Sequence, residues 1–190
     1  VIGHLGGTFT SANAITAVTQ QLSSVVITGV SQAGAIVTGQ TLGEGEKEKA
    51  MAQGYLFMGL GFFLGSISAL FIIFLSNPII ASYKNVSQET VEIARQLMLA
   101  ISIIVIFQGT NSIMTKGVLR GGGDTKLLMI TDNIFLWVLA IPLGLLGGFV
   151  LKVPPFWIYI FIKSDQIVKT VYSFLRLRSG KWIKKISVGK

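Results

Sequence analysis

Cysteine is absent from the 190 residues, and histidine occurs once, as His4. The first absence excludes disulfides, thiolate metal sites and cysteine nucleophiles, and it leaves the redox compartment open. The second removes the material for a zinc or haem site, and His4 reads as a lone loop residue. Charge is scarce too: 13% of residues are Asp, Glu, Lys or Arg, against about 25% in a soluble domain. A membrane-embedded enzyme would need a nucleophile with its base, or a metal cluster, inside the apolar stretches. Without Cys or intramembrane His that class is set aside.

What the chain has in abundance is apolar sequence. Hydrophobic residues make up 51% and mean hydropathy is +0.69. The stretches 55–76, 97–115, 127–151 and 153–175 are long and apolar, and a more polar stretch, about 9–38, precedes them. Each is long enough to cross a hydrocarbon core of about 30 Å, which takes about 20 helical residues. Lipid offers no partner for backbone N–H and C=O groups, so spanning segments become helices. The expected fold is an all-α, polytopic transmembrane helix bundle of about five spans. The 22 glycines suit helices that pack closely in a membrane.

The formal net charge is +8, and its location decides what it means. If the stretches alternate in direction, Lys47, Lys49, Lys116, Arg120, Lys126, Arg176, Arg178, Lys181, Lys184, Lys185 and Lys190 share one side. The other side holds Lys84, Arg95 and Lys152, and Lys163 and Lys169 lie within the last stretch. This is the positive-inside pattern. It predicts a multi-pass protein of the cell membrane with residues 176–190 as a basic cytoplasmic tail. The basic charge then faces anionic lipid of the bilayer, and no nucleic-acid partner is expected.

The chain opens on an apolar Val1–Ile2–Gly3 run with no signal-like segment. Counting back five spans from a cytoplasmic C-terminus puts that run outside, like the tail of an upstream helix. Residues 1–190 are therefore expected to be the C-terminal part of a longer polytopic protein.

Polar residues inside the spans are the candidates for function. Gln21, Ser24, Thr28 and Gln32 share one face of the first span, with Gln20 and Ser31 beside it. They either bond neighbouring helices or line a water-filled cavity. Gln108, Asn111, Ser112 and Thr115 sit together near the end of the third span, with the same two readings. Gly61-x-x-x-Gly65 and Gly144-x-x-x-Gly148 offer flat strips for helix contact, a pattern that chance produces readily with this many glycines. Pro142 removes a backbone donor and should kink the fourth span. Asn77-Pro78 and Lys84 to Glu92 read as a turn and a short interfacial stretch.

Two carboxylates lie within spans. Asp132 is about two turns into the fourth, and Asp165 is near the middle of the fifth, four residues before Lys169. A charge at mid-membrane costs roughly 2.5–3.5 kcal/mol, so each must face a partner or water. The Asp165–Lys169 spacing allows self-neutralisation on one helix face. The functional alternative is a carboxylate that exchanges a proton or cation during transport. Asp132 has no partner one turn away on its own helix.

Two loops on the basic side repeat each other. Gly39-Gln40-Thr41-Leu42-Gly43-Glu44-Gly45-Glu46 and Gly117-Val118-Leu119-Arg120-Gly121-Gly122-Gly123-Asp124 both fit G-x-x-x-G-x-G-[DE], 78 positions apart. The glycines permit positive φ where a helix ends, and the acid can cap the next helix. Neither run contains the G-x-x-x-x-G-K-[ST] of a phosphate-binding loop or the G-x-G-x-x-G of a dinucleotide site, and both join membrane helices.

These motifs bring a resemblance into view. Lys116 to Lys126 resembles the GVLRGxGDT loop of the multidrug and toxic compound extrusion (MATE) family, and Gly39 to Glu46 resembles its GQxLGxGD loop, with Glu46 in place of Asp. Ser11-Ala12-Asn13-Ala14-Ile15 sits where the family has a small, apolar helix start, and Arg176 to Trp182 (RLRSGKW) is similar to its RxRSGKW tail. The resemblance spans essentially the whole chain. It implies twelve helices in two six-helix lobes around a central cavity, exporting organic cations or drugs by alternating access. Sodium ions or protons would be exchanged, with no other cofactor. This chain would supply most of the C-terminal lobe, and a missing N-terminal lobe would be its partner. The helix matching 97–115 has Gln108 and Asn111 where some members have an acid, so no coupling carboxylate transfers, and Asp132 and Asp165 stand on burial alone. A lipid-linked oligosaccharide flippase of the same superfamily, or a non-transporting fragment, are the alternatives. The flippase would need a more basic cavity than Lys163 and Lys169 provide.

Overall fold

The computed structural model describes residues 7–82, 87–151 and 153–184. His4, the Val1–Ile2–Gly3 run, Lys84, Lys152, Lys185 and Lys190 lie outside the described residues. The chain is an all-α membrane helix bundle, with no strand among the described residues. Four helical stretches are long and apolar enough to cross a membrane: Ser24–Gly43, Lys47–Ala81, Gln88–Leu119 and Thr125–Gly148.

Helix α1 runs Gly7–Gly43, starting four residues before the Ser11–Ile15 segment, and α2 runs Lys47–Ser82. Pro78 lies inside α2, not in a turn. A proline near a helix C-terminus forgoes only one backbone bond, so the apolar pattern prevails over it. Ser87 then caps α3 (Gln88–Ser112), its Oγ accepting from the Thr90 amide at 3.2 Å. The stretch expected to be interfacial is, from residue 88 onward, the first turn of α3.

Helix α3 is the axis of the bundle. Leu97, Met98, Ile101, Ile104 and Val105 are essentially inaccessible and pack with Ala69 and Ile72 of α2 and, further along the chain, Ile158 and Tyr159. The Gly61/Gly65 pair is used: a Cβ at either position would stand 2.8 Å from backbone of α3, at Thr110 and Ile106. In the fourth span the contact involves Gly144 and Gly147, against Ile162 and Phe161.

Helix α4 (Thr125–Phe135) passes through a π-helical turn, Leu136–Ala140, into the short α5 (Ile141–Leu145), and a second such turn follows at Leu146–Val150. The amide of Ile141 reaches Leu136, five residues back. That widening sits directly before Pro142, where a regular helix would press the proline ring on the carbonyl four residues earlier. The fifth apolar stretch is not one helix. It divides into α6 (Pro155–Ile162) and α7 (Ser164–Arg178) at Lys163, whose φ of −105° and ψ of 9° leave the helical region. Bulky apolar side chains such as Leu22, Phe63, Phe74 and Trp137 point outward, as a bilayer-facing surface requires.

Candidate functional site

Helices α1 and α3 run in the same direction and join through their polar side chains. Gln20 Nε2 donates to Gln108 Oε1 at 2.9 Å, and the Tyr159 hydroxyl of α6 donates to Gln20 Oε1 at 3.2 Å. Beside this bridge lies a cavity of about 160 Å³ lined by Gln20, Ser24, Thr28, Gln108, Ser112 and Lys116. The α1 stripe therefore divides: Ser24 and Thr28 line the cavity, while Gln21 and Gln32 are simply exposed. The hydroxyls of Ser24 and Thr28 donate to carbonyls of their own helix, at 2.8 and 2.9 Å.

The four polar residues of α3 and its continuation also divide. Gln108 and Ser112 face the cavity, one turn apart. Asn111 turns away, is buried, and donates through Nδ2 to Gln166 Oε1 of α7 at 3.0 Å. Thr115 is buried and bonds the Asn111 carbonyl at 2.6 Å.

That link leads to the charged centre of the bundle. Gln166 Nε2 donates to Asp165 Oδ2 at 2.9 Å. Lys169 stands between two carboxylates, 2.9 Å from Asp165 on its own helix and 3.1 Å from Asp132 on α4. Sequence had paired only Asp165 with Lys169; the fold brings Asp132 across to complete the cluster. Its members differ in exposure: the Asp165 side chain is 6% accessible, Lys169 10% and Asp132 53%. Asp132 opens onto a second cavity of about 260 Å³, shared with Thr115, Lys116, Arg120, Thr125, Leu128 and Met129. Asn111 Oδ1 is buried and has no partner among the described residues. An acceptor-only carboxylate at one end forces this polarity: Gln166 must present its amide N–H to Asp165, and Asn111 must then present its own to Gln166. Among the described residues no three acidic or histidine side chains gather to hold a metal ion.

The repeated loops share one geometry, atom for atom. The amides of Glu44, Gly45 and Glu46 reach Gln40, Leu42 and Thr41. Those of Gly122, Gly123 and Asp124 reach Val118, Arg120 and Leu119. Gly45 and Gly123 take φ of +83° and +87°, the left-handed C′ position of a Schellman ending. The other signature glycines are helical. Gly117 and Gly121 meet α1 backbone at Ser31 and Ala35, where an added Cβ would come within 2.8 and 2.6 Å of carbonyl oxygens. Gly39 lies across from Gly121, and Gly43 ends α1.

The acids of the two loops diverge. Among the described residues Glu46 makes an exposed pair with Lys49 at 2.7 Å and no other side-chain contact. Asp124 makes no side-chain cap on α4, contrary to the capping expectation. Its carboxylate is 1% exposed, forms an ion pair with Lys184 Nζ at 3.4 Å, and accepts a hydrogen bond from Arg176 Nε at 2.7 Å. This hydrogen bond holds the Arg176 guanidinium further above its ordinary value. The Lys184 amide adds a bond to the Gly122 carbonyl, and Trp182 is fully buried against Gly122. The tail is thus clasped onto the second loop.

The MatE family model matches residues 1–146, a range that includes α1 through α5. The chain belongs to the MatE family. Multidrug resistance protein MdtK of Yersinia pseudotuberculosis serotype O:1b (strain IP 31758) is 30% identical over 162 residues, covering 82% of this chain and 34% of the relative. MdtK of Yersinia pestis (strain Pestoides F) gives the same identity and coverage. Multidrug resistance protein NorM of Burkholderia vietnamiensis is 28% identical over 149 residues, or 75% of this chain and 32% of the relative. The chain thus spans about a third of the length of the curated relatives it matches. No solved structure matches it significantly.

Within this MatE chain the model's match contains Asp132 and Asp124 and ends before their partners, Lys169, Arg176 and Lys184. Tyr159, Gln166, Trp182 and Lys184 were not singled out as site residues by sequence. For Trp182, the RSGKW motif was a signal that some contact fixed it. For Gln166 no signal exists, since its role depends on α7 meeting α3.

Proposed function

We propose that the full-length protein is a secondary antiporter of the cell membrane, exporting organic cations or drugs in exchange for sodium ions or protons by alternating access. The observation that carries this is the charged cluster Asp132–Lys169–Asp165, which joins α4 to α7 within a membrane helix bundle. Ionisable groups are expensive in lipid and are kept where an ion or substrate passes. The polar cavity between α1 and α3 adds an aqueous wall. Membership of the MatE family and the multidrug resistance names of MdtK and NorM support export as the direction.

In this proposal the described helices form one wall of a path, and a second lobe of the same protein closes it. Gln20, Ser24, Thr28 and Gln108 hydrate the cargo, while apolar and aromatic surface gives loose selectivity for bulky cations. The basic loops and tail lie in the cytoplasm against anionic lipid. No cofactor beyond the coupling ion, and no nucleic acid, takes part.

The test is efflux of a fluorescent organic cation from cells expressing the full-length protein. Export should stop when the sodium and proton gradients are both collapsed, and collapsing one should identify the coupling ion. Export that persists without either gradient would refute antiport.

A further inference from the structure

We propose that the trough between α2 and α7 is a binding site for one phospholipid with an anionic headgroup, one acyl chain lying in the trough and the phosphate resting on Arg178. The site is on the outer face of the bundle, apart from the polar cavities, and it does not depend on the transport function.

The trough starts at a helix crossing. An added Cβ at Gly54 would stand 2.5 Å from Leu177 Cδ1, so α2 and α7 touch there. Toward the middle of the spans they part over a concavity of about 480 Å³. Tyr55, Met58 and Phe62 of α2 wall it on one side, Val171 and Phe174 of α7 on the other, with Phe107 of α3 behind. A second concavity, of about 440 Å³, adjoins it along α2 and shares Tyr55 and Gly59 with it. Gly61 and Gly65 are closed over by α3 backbone, but an added Cβ at Gly59 meets nothing within 4 Å. That glycine hollows the helix surface where the two concavities meet and docks no helix among the described residues.

The lining offers little to a polar ligand. Besides that of Tyr55 it holds one hydroxyl, on Thr170, which donates to the Phe107 and Gln166 carbonyls at 3.0 and 2.8 Å. Tyr55, Phe62, Val171 and Phe174 stay exposed. In a bilayer such a surface is met by hydrocarbon, and a concavity of this size encloses a chain along its length.

Tyr55 and Arg178 set the headgroup level. Each follows one partner of the Gly54–Leu177 contact by one residue, so the two lie within about 3 Å of the same depth. Tyrosine rings settle at the membrane–water interface. Arg178 is one turn past Phe174 on the same helix face, is exposed, and makes no ion pair among the described residues. Asp124, the carboxylate of the clasp, is held by Arg176 and Lys184. The one carboxylate of α2, Glu48, is seven residues before Tyr55, about 10 Å along the axis. A free guanidinium at that depth is complementary to a phosphate.

The experiment measures thermal unfolding of the purified full-length protein in detergent against added dioleoyl phosphatidylglycerol or dioleoyl phosphatidylcholine. A ligand that binds only the folded state raises the midpoint. The wild type should reach its half-maximal rise at a concentration about fivefold lower with the anionic lipid. Arg178→Gln should respond equally to both lipids, and Lys126→Gln, an exposed cation elsewhere, should keep the wild-type preference. Gly59→Phe puts a ring into the hollow and should need at least about tenfold more of either lipid. Glycerol 3-phosphate alone should leave the midpoint where it is. A wild type without preference, Arg178→Gln keeping the preference, or Gly59→Phe responding like wild type overturns the proposal. So does a midpoint raised by glycerol 3-phosphate, which would make the ligand a free phosphate. If the second lobe fills the trough instead, Gly59→Phe lowers the lipid-free midpoint and leaves the lipid response intact, which overturns it too.

Discussion

At the scale of single residues, the most constrained groups lie at the clasp. Asp124 is buried and bonded to the largely covered Arg176, while its other partner, Lys184, is half in water, so removing the carboxylate costs about 1.5–3 kcal/mol, the worth of the charged hydrogen bond to Arg176. Asp124→Ala should therefore lower the unfolding midpoint of the full-length protein markedly, whereas Glu46→Ala, at the matching position of the first loop, should scarcely move it. Equal effects would show that burial of Asp124 has no energetic consequence. Trp182→Ala should cost about 3–5 kcal/mol by the cavity it leaves. Sequence could not separate Asp124 from Glu46, because both end the same motif. The difference comes from residues 52 to 60 positions downstream, and the local pattern does not encode them. Asp165 was legible for the opposite reason: its partner Lys169 is four residues away. Asp132 was left without a partner because a cross-helix pair needs the packing of α4 against α7.

At the scale of elements, sequence periodicity and length located the helices and left their irregularities open. The 78-residue repeat was readable as a motif, and the structure gives both copies the same hydrogen bonds, with a left-handed glycine at the same place. Gly45→Ala and Gly123→Ala should each cost about 1–2 kcal/mol, since both force a Cβ into left-handed backbone. Matching drops in unfolding midpoint would show that the two endings are equivalent in energy as well as geometry. The Gly61/Gly65 strip is a packing surface, yet from sequence it could not be told from chance among 22 glycines. Gly65→Val should push α2 off α3 and lose folded protein, measured as monodisperse yield from membranes. Gly59→Val, where an added Cβ meets nothing within 4 Å, should leave that yield unchanged. The division of the last stretch at Lys163 was hidden for a physical reason. Residues 153–162 and 164–175 are each helix-compatible, and the break falls where no proline or glycine marks it.

At the scale of the whole molecule, composition was enough to establish a membrane helix bundle, and motifs were enough to establish the family. Orientation and transport are properties of the complete protein. The absence of cysteine is useful here, because single cysteines can be introduced with no background. Glu44→Cys and Ser179→Cys should react with a membrane-impermeant maleimide only from the cytoplasmic side, and Asn77→Cys only from outside. Any pair labelled from the reverse side would contradict the topology. Sequence identifies Asp132 and Asp165 as expensive residues needing a purpose; the fold unites them on one lysine beside the 260 Å³ cavity. The most direct test of that cluster as the ion path is the exchange rate of a labelled organic cation in proteoliposomes holding the full-length protein. Asp132→Asn should slow exchange at least about tenfold, equivalent to about 1.4 kcal/mol, with the exposed control Glu89→Gln unchanged. Exchange by Asp132→Asn at the wild-type rate would contradict the account.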